Sequence, residues 1–287
     1  MIDTDIRHLS DGAVTKDRKI RTLIMAGYDL YKDDKGISQL NEQVIEPQHN
    51  KITVGGILHI LKLLFGVDSN LDIKTLNELL GIATSGIKDQ NSKRLVFAFD
   101  VGLGGCGASY ADEKEVLDQE NIVKNIIPFR IVDSEEELGD MKNNYWFKKP
   151  IDGGKIAYYL KTFEGTPEIH TLWKDAIDDD TDGNPVVGNP SESTRTEGME
   201  SFAEIILRIS AQDLREYFEL YEPSGAKYAR FNTIGLCVGQ KGIINGDGED
   251  VGETEILDAI QFSILNFSNE MLHFEKDLSI VYRVYIS

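Results

Sequence analysis

Apolar positions in the first third of the chain recur at helical spacing. Ile20, Leu23, Ile24, Tyr28 and Tyr31 fall three and four residues apart, which predicts a helix within 15–31 even though Gly27 weakens it. Ile57, Ile60, Leu61, Leu64 and Phe65 form one apolar stripe after Thr53 and before Gly66, a residue suited to the left-handed position that follows a helix. On this stripe His59 reads as a surface residue. Asp72 then reads as an N-cap for Ile73, Leu76, Leu79 and Leu80, closed by Gly81. Residues 53–81 are thus expected to be a helical hairpin, and 1–92 a helical N-terminal region.

After residue 92 the pattern becomes one of strands. Leu95–Phe99, Ile126–Val132 and Ile156–Phe163 are short apolar runs, the last preceded by the turn residues Asp152, Gly153 and Gly154. Ala203, Ile205, Leu207 and Ile209 alternate with more polar residues. Ser210 and Asp213 make a Ser-x-x-Asp capping box for a short helix carrying Leu214, Tyr217, Phe218 and Tyr221. Phe231–Val238, Ala259–Leu265 and Leu278–Ile286 complete the strand set. The last is placed to close this chain's own sheet or a neighbour's. Between them, 175–198 is an acidic, polar loop with almost no apolar residue, expected to be mobile until an assembly orders it. The predicted fold is α+β, with a β-sandwich-like, mostly antiparallel domain over 93–287 following the helical region. No internal period indicates a repeat fold.

Composition narrows what such a chain could do. At 287 residues it can bury a core without disulfides, and its two cysteines, Cys106 and Cys237, form no CxxC pair or zinc knuckle, which fits synthesis in a reducing cytoplasm. The N-terminal sequence lacks the apolar stretch of a secretory signal, and Ile57–Phe65 is interrupted by His59 and Lys62, so neither secretion nor membrane insertion is expected. The formal charge of −19, from 49 acidic against 30 basic residues, opposes direct nucleic-acid binding. Solubility is the plainest reason for such a charge, with basic protein partners or cations as others.

The sharpest motif is Gly102-Leu103-Gly104-Gly105-Cys106-Gly107, a G-x-G-x-x-G directly after a predicted strand, with Asp133 where a ribose-binding acid would stand. A dinucleotide site needs a helix to start at the third glycine. Ala108 to Glu115 lack the apolar spacing for one and put Asp112, Glu113 and Glu115 where phosphates would lie, with Asp100 at the loop mouth. A glycine-rich loop is the preferred reading, and a nucleotide-binding enzyme using Gly102–Gly107 the alternative. Asp178, Asp180, Asp182 and Gly183 match part of a calcium loop, but Pro185 and Asn189 stand where it needs an apolar residue and a bidentate Glu. Asn245 to Asp250 read as turns. His8, His49, His59, His170 and His273 are scattered, none near another histidine or a cysteine at metal-pair spacing. Tyr145, Trp146, Phe147, Tyr158, Tyr159, Phe163 and Trp173 gather in one predicted hairpin region and are read as core packing before interface. No catalytic, cofactor-binding or metal-binding residue is assigned.

The segments Ile126–Val132, Lys155–Glu164, Glu200–Phe218, Tyr228–Val238 and Ile260–Ile286 resemble, in order and character, virion structural proteins of contractile-tailed bacteriophages, over roughly 125–287. The resemblance implies a non-enzymatic building block of the tail, baseplate, neck or fibre-attachment region. Its partners would be other virion proteins, in multiple copies of a symmetric assembly, and its site the virion after synthesis in the host cytoplasm.

Overall fold

A computed structural model describes residues 13–15, 18–48, 51–65, 74–82, 87–89, 94–103, 125–173, 199–221, 229–244, 254–271 and 275–286. In chain order its strands are β1 (Ala13–Thr15), β2 (Arg18–Lys32), β3 (Ser38–Gln48), β4 (Lys51–Ile52), β5 (Ile87–Asp89), β6 (Leu95–Gly102), β7 (Ile126–Ile127), β8 (Arg130–Val132), β9 (Tyr145–Pro150), β10 (Ile156–Thr162), β11 (Glu164–Trp173), β12 (Met199–Ile209), β13 (Arg230–Ile244), β14 (Thr254–Met271) and β15 (Leu278–Ile286). The α-helices are α1 (Val54–Phe65), α2 (Leu76–Leu80) and α3 (Arg215–Tyr221). The chain divides into two compact units, one of 1–50, 164–208 and 278–287, the other of 51–163 and 209–277.

The first unit is built on a six-stranded sheet in the order β1, β2, β15, β12, β11, with β3 also on β2. The expected helix over 15–31 is instead the long strand β2, which pairs antiparallel with β15 from Ile20 to Gly27 and with β3 from Ile24 to Lys32. Residues on both faces of β2 are buried, Ile24, Met25, Ala26 and Tyr28 among them, and register shifts near Ala26 break the alternation that would have marked a strand. A tight turn joins β2 to β3, where the Asp33 carboxylate accepts from the amides of Lys35 and Ile37, each at 2.9 Å.

The second unit carries a nine-stranded sheet in the order β4, β14, β13, β6, β10, β8, with β5 on β13, β7 on β6 and β9 on β10. The chain is therefore mostly β, two antiparallel sheets in separate units, and the helical region expected over 1–92 is absent among the described residues. The short helices α1 and α2 do appear where expected. Thr53 caps α1, its Oγ1 accepting from the Gly56 amide at 3.0 Å while its hydroxyl proton reaches the Gln261 carbonyl of β14. The face that α1 buries includes Gly55, Gly56 and His59, so His59 is a core residue and not a surface one, while Ile57 and Ile60 are half-buried.

For α2 the cap is Thr75, in a capping box with Glu78, and not Asp72, which lies outside the described residues. Gly81 ends it at φ 68°, as its place in the sequence predicts. Asn77 ties the helix to an irregular stretch of β14. Between Leu257 and Ile260 the pairing with β13 slips, Asp258 takes φ 49°, and the freed backbone is met by Asn77, which donates to the Ile256 carbonyl at 2.7 Å and accepts from the Ala259 amide at 2.9 Å.

Much of the aromatic hairpin is core, with Tyr159 half-buried and the Trp173 side chain outside the described residues. Tyr145, Phe147 and Tyr158 are buried, Trp146 meets Phe97 edge-on with centroids 6.5 Å apart, and Phe163 is half-buried. Strand β15 lies between β2 and β12, closing the sheet of its own chain.

Candidate functional site

Among the described residues, three polar clusters lie on these sheets, and their chemistry differs. At the centre of the nine-stranded sheet, Asp100 of β6 is fully buried, not at a loop mouth. Gln261 Nε2 donates to its two carboxylate oxygens at 2.9 and 2.8 Å, and Cys237 Sγ lies 3.1 Å from Oδ2. Burial pushes the Asp100 pKa up to about 6, against the pull of the bonds from Cys237 and Gln261. Burial, then the Asp100 charge, raise the Cys237 thiol well above its ordinary value. A thiol so held is a proton donor and not a nucleophile. Gly235 makes the room: a Cβ there would stand 1.8 Å from Gln261 Nε2 and 2.5 Å from Asp100 Oδ2.

The second cluster joins β9, β10 and the turn before α3. Asp213 is fully buried and accepts from Tyr145 Oη at 2.8 Å, the Ser210 amide at 2.7 Å and Lys161 Nζ. Asp213 thus stands inside a polar network as well as against Ser210, and with Leu214 at φ 67° the helix begins only at Arg215. Burial and Asp213 raise the Tyr145 pKa, so the phenol remains a donor. Nearby, Arg130 pairs with Glu216 at 2.9 Å. Each charge here has a structural counter-group, which is what burial demands.

The third cluster is on the first unit and reaches the surface. Glu168 of β11 stands opposite Glu204 of β12, and His170 lies two residues further along β11, so strand periodicity puts all three on one face. Glu204 Oε2 accepts from Arg283 Nε at 2.9 Å and its Oε1 from the Ser38 amide at 3.1 Å. Lys32 Nζ bridges Glu168 at 2.8 Å and Glu204 at 3.2 Å. Burial pushes the Glu204 carboxyl up, but the bonds from Ser38, Arg283 and Lys32 outweigh it and hold it below the usual carboxylate value. The His170 ring stacks on Phe202, centroids 5.0 Å apart at 26°, and Phe202 in turn packs on Tyr285. Among the described residues, Glu168, His170 and Glu204 are the grouping whose ligand atoms come within 4.8 Å of one another. Sequence spacing misses it because Glu204 joins only through cross-strand register.

The same strand is an edge. β11 ends the sheet order, hydrogen-bonded among the described residues to β12 alone. Its first half is guarded by Gly165 at φ 72°, Pro167 and a register shift between Glu164 and Glu168. On the face opposite Glu168 and His170, Ile169 is 80% exposed.

The other sequence candidates fare differently. Gly102 ends β6, whose neighbours β7, β10 and β13 are all antiparallel, so the parallel β-α-β unit of a dinucleotide site is not built there among the described residues. Gly104 to Gly107 lie outside the described residues, as do the acidic loop 175–198, Asn245 to Asp250, His8, His49 and His273. Asp133 is exposed and paired with Lys155. Among the described residues no helix is long and apolar enough to cross a membrane.

No family model matches the chain, and neither the curated proteins nor the solved structures contain a match.

Proposed function

We propose that this chain is a structural virion protein of a tailed phage, in the tail, baseplate, neck or fibre-attachment region, and that it works by packing against other virion proteins through the β11 edge. The observation that carries this reading is Ile169, 80% exposed on a strand that has a partner on one side only among the described residues. An apolar side chain on such an edge gains from burial at about 25 cal/mol per Å² of apolar area. The guarded first half of β11 leaves Glu168 to Trp173, which pair regularly with β12, as the segment that can take a neighbour. Resemblance of the segments over 125–287 to phage virion proteins supports the same reading, and the acidic surface would orient docking more than it would hold it.

The test is incorporation. Ile169→Lys, supplied in place of the native chain during particle assembly, should yield a folded protein that is depleted from purified particles. If the variant enters particles at the native level, the β11 edge is not the contact. If the native chain itself never co-purifies with particles, the virion reading fails.

A further inference from the structure

Lys32 and Arg283 pair the carboxylates around Glu204, and the imidazole of the cluster stands at ion-pair distance from one of them without a hydrogen bond among the described residues. Lys32 and Arg283 between them neutralise Glu168 and Glu204. His170 Nε2 is nevertheless buried beside these carboxylates, 3.5 Å from Glu168 Oε2, with no hydrogen-bond partner among the described residues. An imidazole nitrogen at that distance from a carboxylate oxygen matches two ligands of one tetrahedral ion, whose donors stand about 3.3 Å apart when the metal–ligand bonds are 2.0–2.1 Å.

We propose that Glu168, His170 and Glu204 form a binding site for a borderline transition-metal dication of the zinc class, with the Lys32 ammonium as the cation that competes for it. Zinc takes one nitrogen and two carboxylate oxygens readily, whereas calcium and magnesium want a shell of oxygens. Two of the three ligands are held in place from behind. Arg283 and the Ser38 amide orient Glu204, and the Phe202 ring orients His170. The third, Glu168, is half-exposed and free to close the 4.8 Å spread of donor atoms onto an ion. Lys32 stands between two of the ligands, where the ion would sit. Its side chain is 44% exposed, at the end of β2, so it can turn to solvent when a dication enters. Arg283 keeps its bond to Glu204 Oε2 and the Ser38 amide its bond to Oε1, so the metal would take the place that Lys32 now holds on Oε1. The fourth position would be open to water or to a group from a partner.

Calorimetry of the metal-free full-length chain with zinc chloride, then with magnesium chloride, tests this in neutral buffer. One saturable zinc site per chain is expected, undisturbed by magnesium. His170→Phe keeps a ring on Phe202 but removes the nitrogen, and should weaken zinc binding by about tenfold or more. Lys32→Met removes the competing charge and should tighten it. Cobalt substituted for zinc should give a visible absorption band that His170→Phe abolishes. If circular dichroism shows that His170→Phe does not fold, Glu168→Gln, at a half-exposed position, replaces it with the same expected loss. The proposal is overturned by the absence of saturable zinc binding, by zinc affinity indifferent to the ligand substitutions, or by a Lys32→Met chain that binds no tighter than the native one.

Discussion

Arg283 donates from Nε to Glu204 Oε2 at 2.9 Å, from β15 to β12, with both side chains at least nine-tenths buried. The guanidinium also reaches the Ser38 carbonyl, so one residue ties β15 to two other strands. Removing one partner of a buried pair costs about 3–5 kcal/mol where the other charge is left uncompensated, and Lys32, which still reaches Glu204, reduces that cost here. Arg283→Met should therefore lower the urea midpoint markedly, and the double variant Arg283→Met with Glu204→Gln should lower it by less than the sum of the two single changes. The Glu204 pKa is lower folded than unfolded, so its contribution is present above the ordinary glutamate value and is lost as pH falls through the folded one. The stability difference between native protein and Glu204→Gln should shrink in that acidic window and be constant near neutrality.

Asp100 has the opposite sign. Its folded pKa is about 6 against an ordinary 3.8, so between these values the folded state holds a proton that the unfolded state has lost. Stability contributed by this group is greatest below the unfolded value and falls as pH rises through the folded one. At roughly 1.36 kcal/mol per pKa unit the ionised carboxylate costs about 3 kcal/mol above pH 6. Asp100→Asn removes the charge, and a small rotation of the Gln261 amide would offer the new side chain Gln261 Oε1, which is buried with no hydrogen-bond partner among the described residues. The variant should be more stable than the native chain at neutral pH and lose that advantage under acid. Urea melts at several pH values would show it; equal stabilities at neutral pH would mean that Asp100 is already neutral there.

Much of the strand set could be read from sequence because β6, β10 and β12 are short apolar or alternating segments bounded by turns. The first fifty residues could not be read in this way. Ile20, Leu23, Ile24, Tyr28 and Tyr31 have helical spacing, but Met25 and Ala26 between them are buried too, because β2 is covered on both faces and bulged where it meets β3. A strand buried on both faces carries no period of two, and the partner that settles its state, β15, lies more than 250 residues away in sequence. His59 failed for a related reason: α1 turns its glycines toward the sheet, so a histidine beside them is buried while Leu63 is exposed. The Glu168, His170 and Glu204 grouping depends on pairing across a long stretch of chain, which local spacing does not encode. Asp213 was visible as a capping residue, but its bonds to Tyr145 and Lys161 were not.

Gly56 sets helix propensity against packing. In an exposed helix, glycine to alanine gains about 1 kcal/mol. At position 56 an added Cβ would stand 2.1 Å from the Phe262 carbonyl oxygen, a backbone atom of β14 that cannot turn aside. Gly56→Ala should therefore destabilise the chain, by about 1–3 kcal/mol as overpacked cores do. A thermal melt that rises with the substitution would mean that α1 is not seated on β14.

Deleting β15 tests the architecture of the first unit. Its eight residues from Ser279 to Ile286 pair with β2 from Gly27 to Ile20, and its other edge takes β12. Leu278, Ile280, Val281 and Tyr282 are fully buried. Burying one such side chain contributes about 1.5–3 kcal/mol, so the four together approach the whole stability of an ordinary domain, about 5–15 kcal/mol. Arg283 goes with them, leaving Glu204 with Lys32 and Ser38 alone. A chain ending at Asp277 should accordingly lose the first unit and be insoluble, or show rapid proteolysis within β2, β3 and β12. Because the lost element is a single strand lying between two others, a synthetic peptide of residues 278–287 added during refolding should restore protection, whereas the same peptide with Ile280 and Tyr282 both changed to Asp should not. A truncated chain that is soluble and resistant without peptide would show that β2 and β12 hold their places without the strand between them, and the sheet order described for this unit would have to be abandoned.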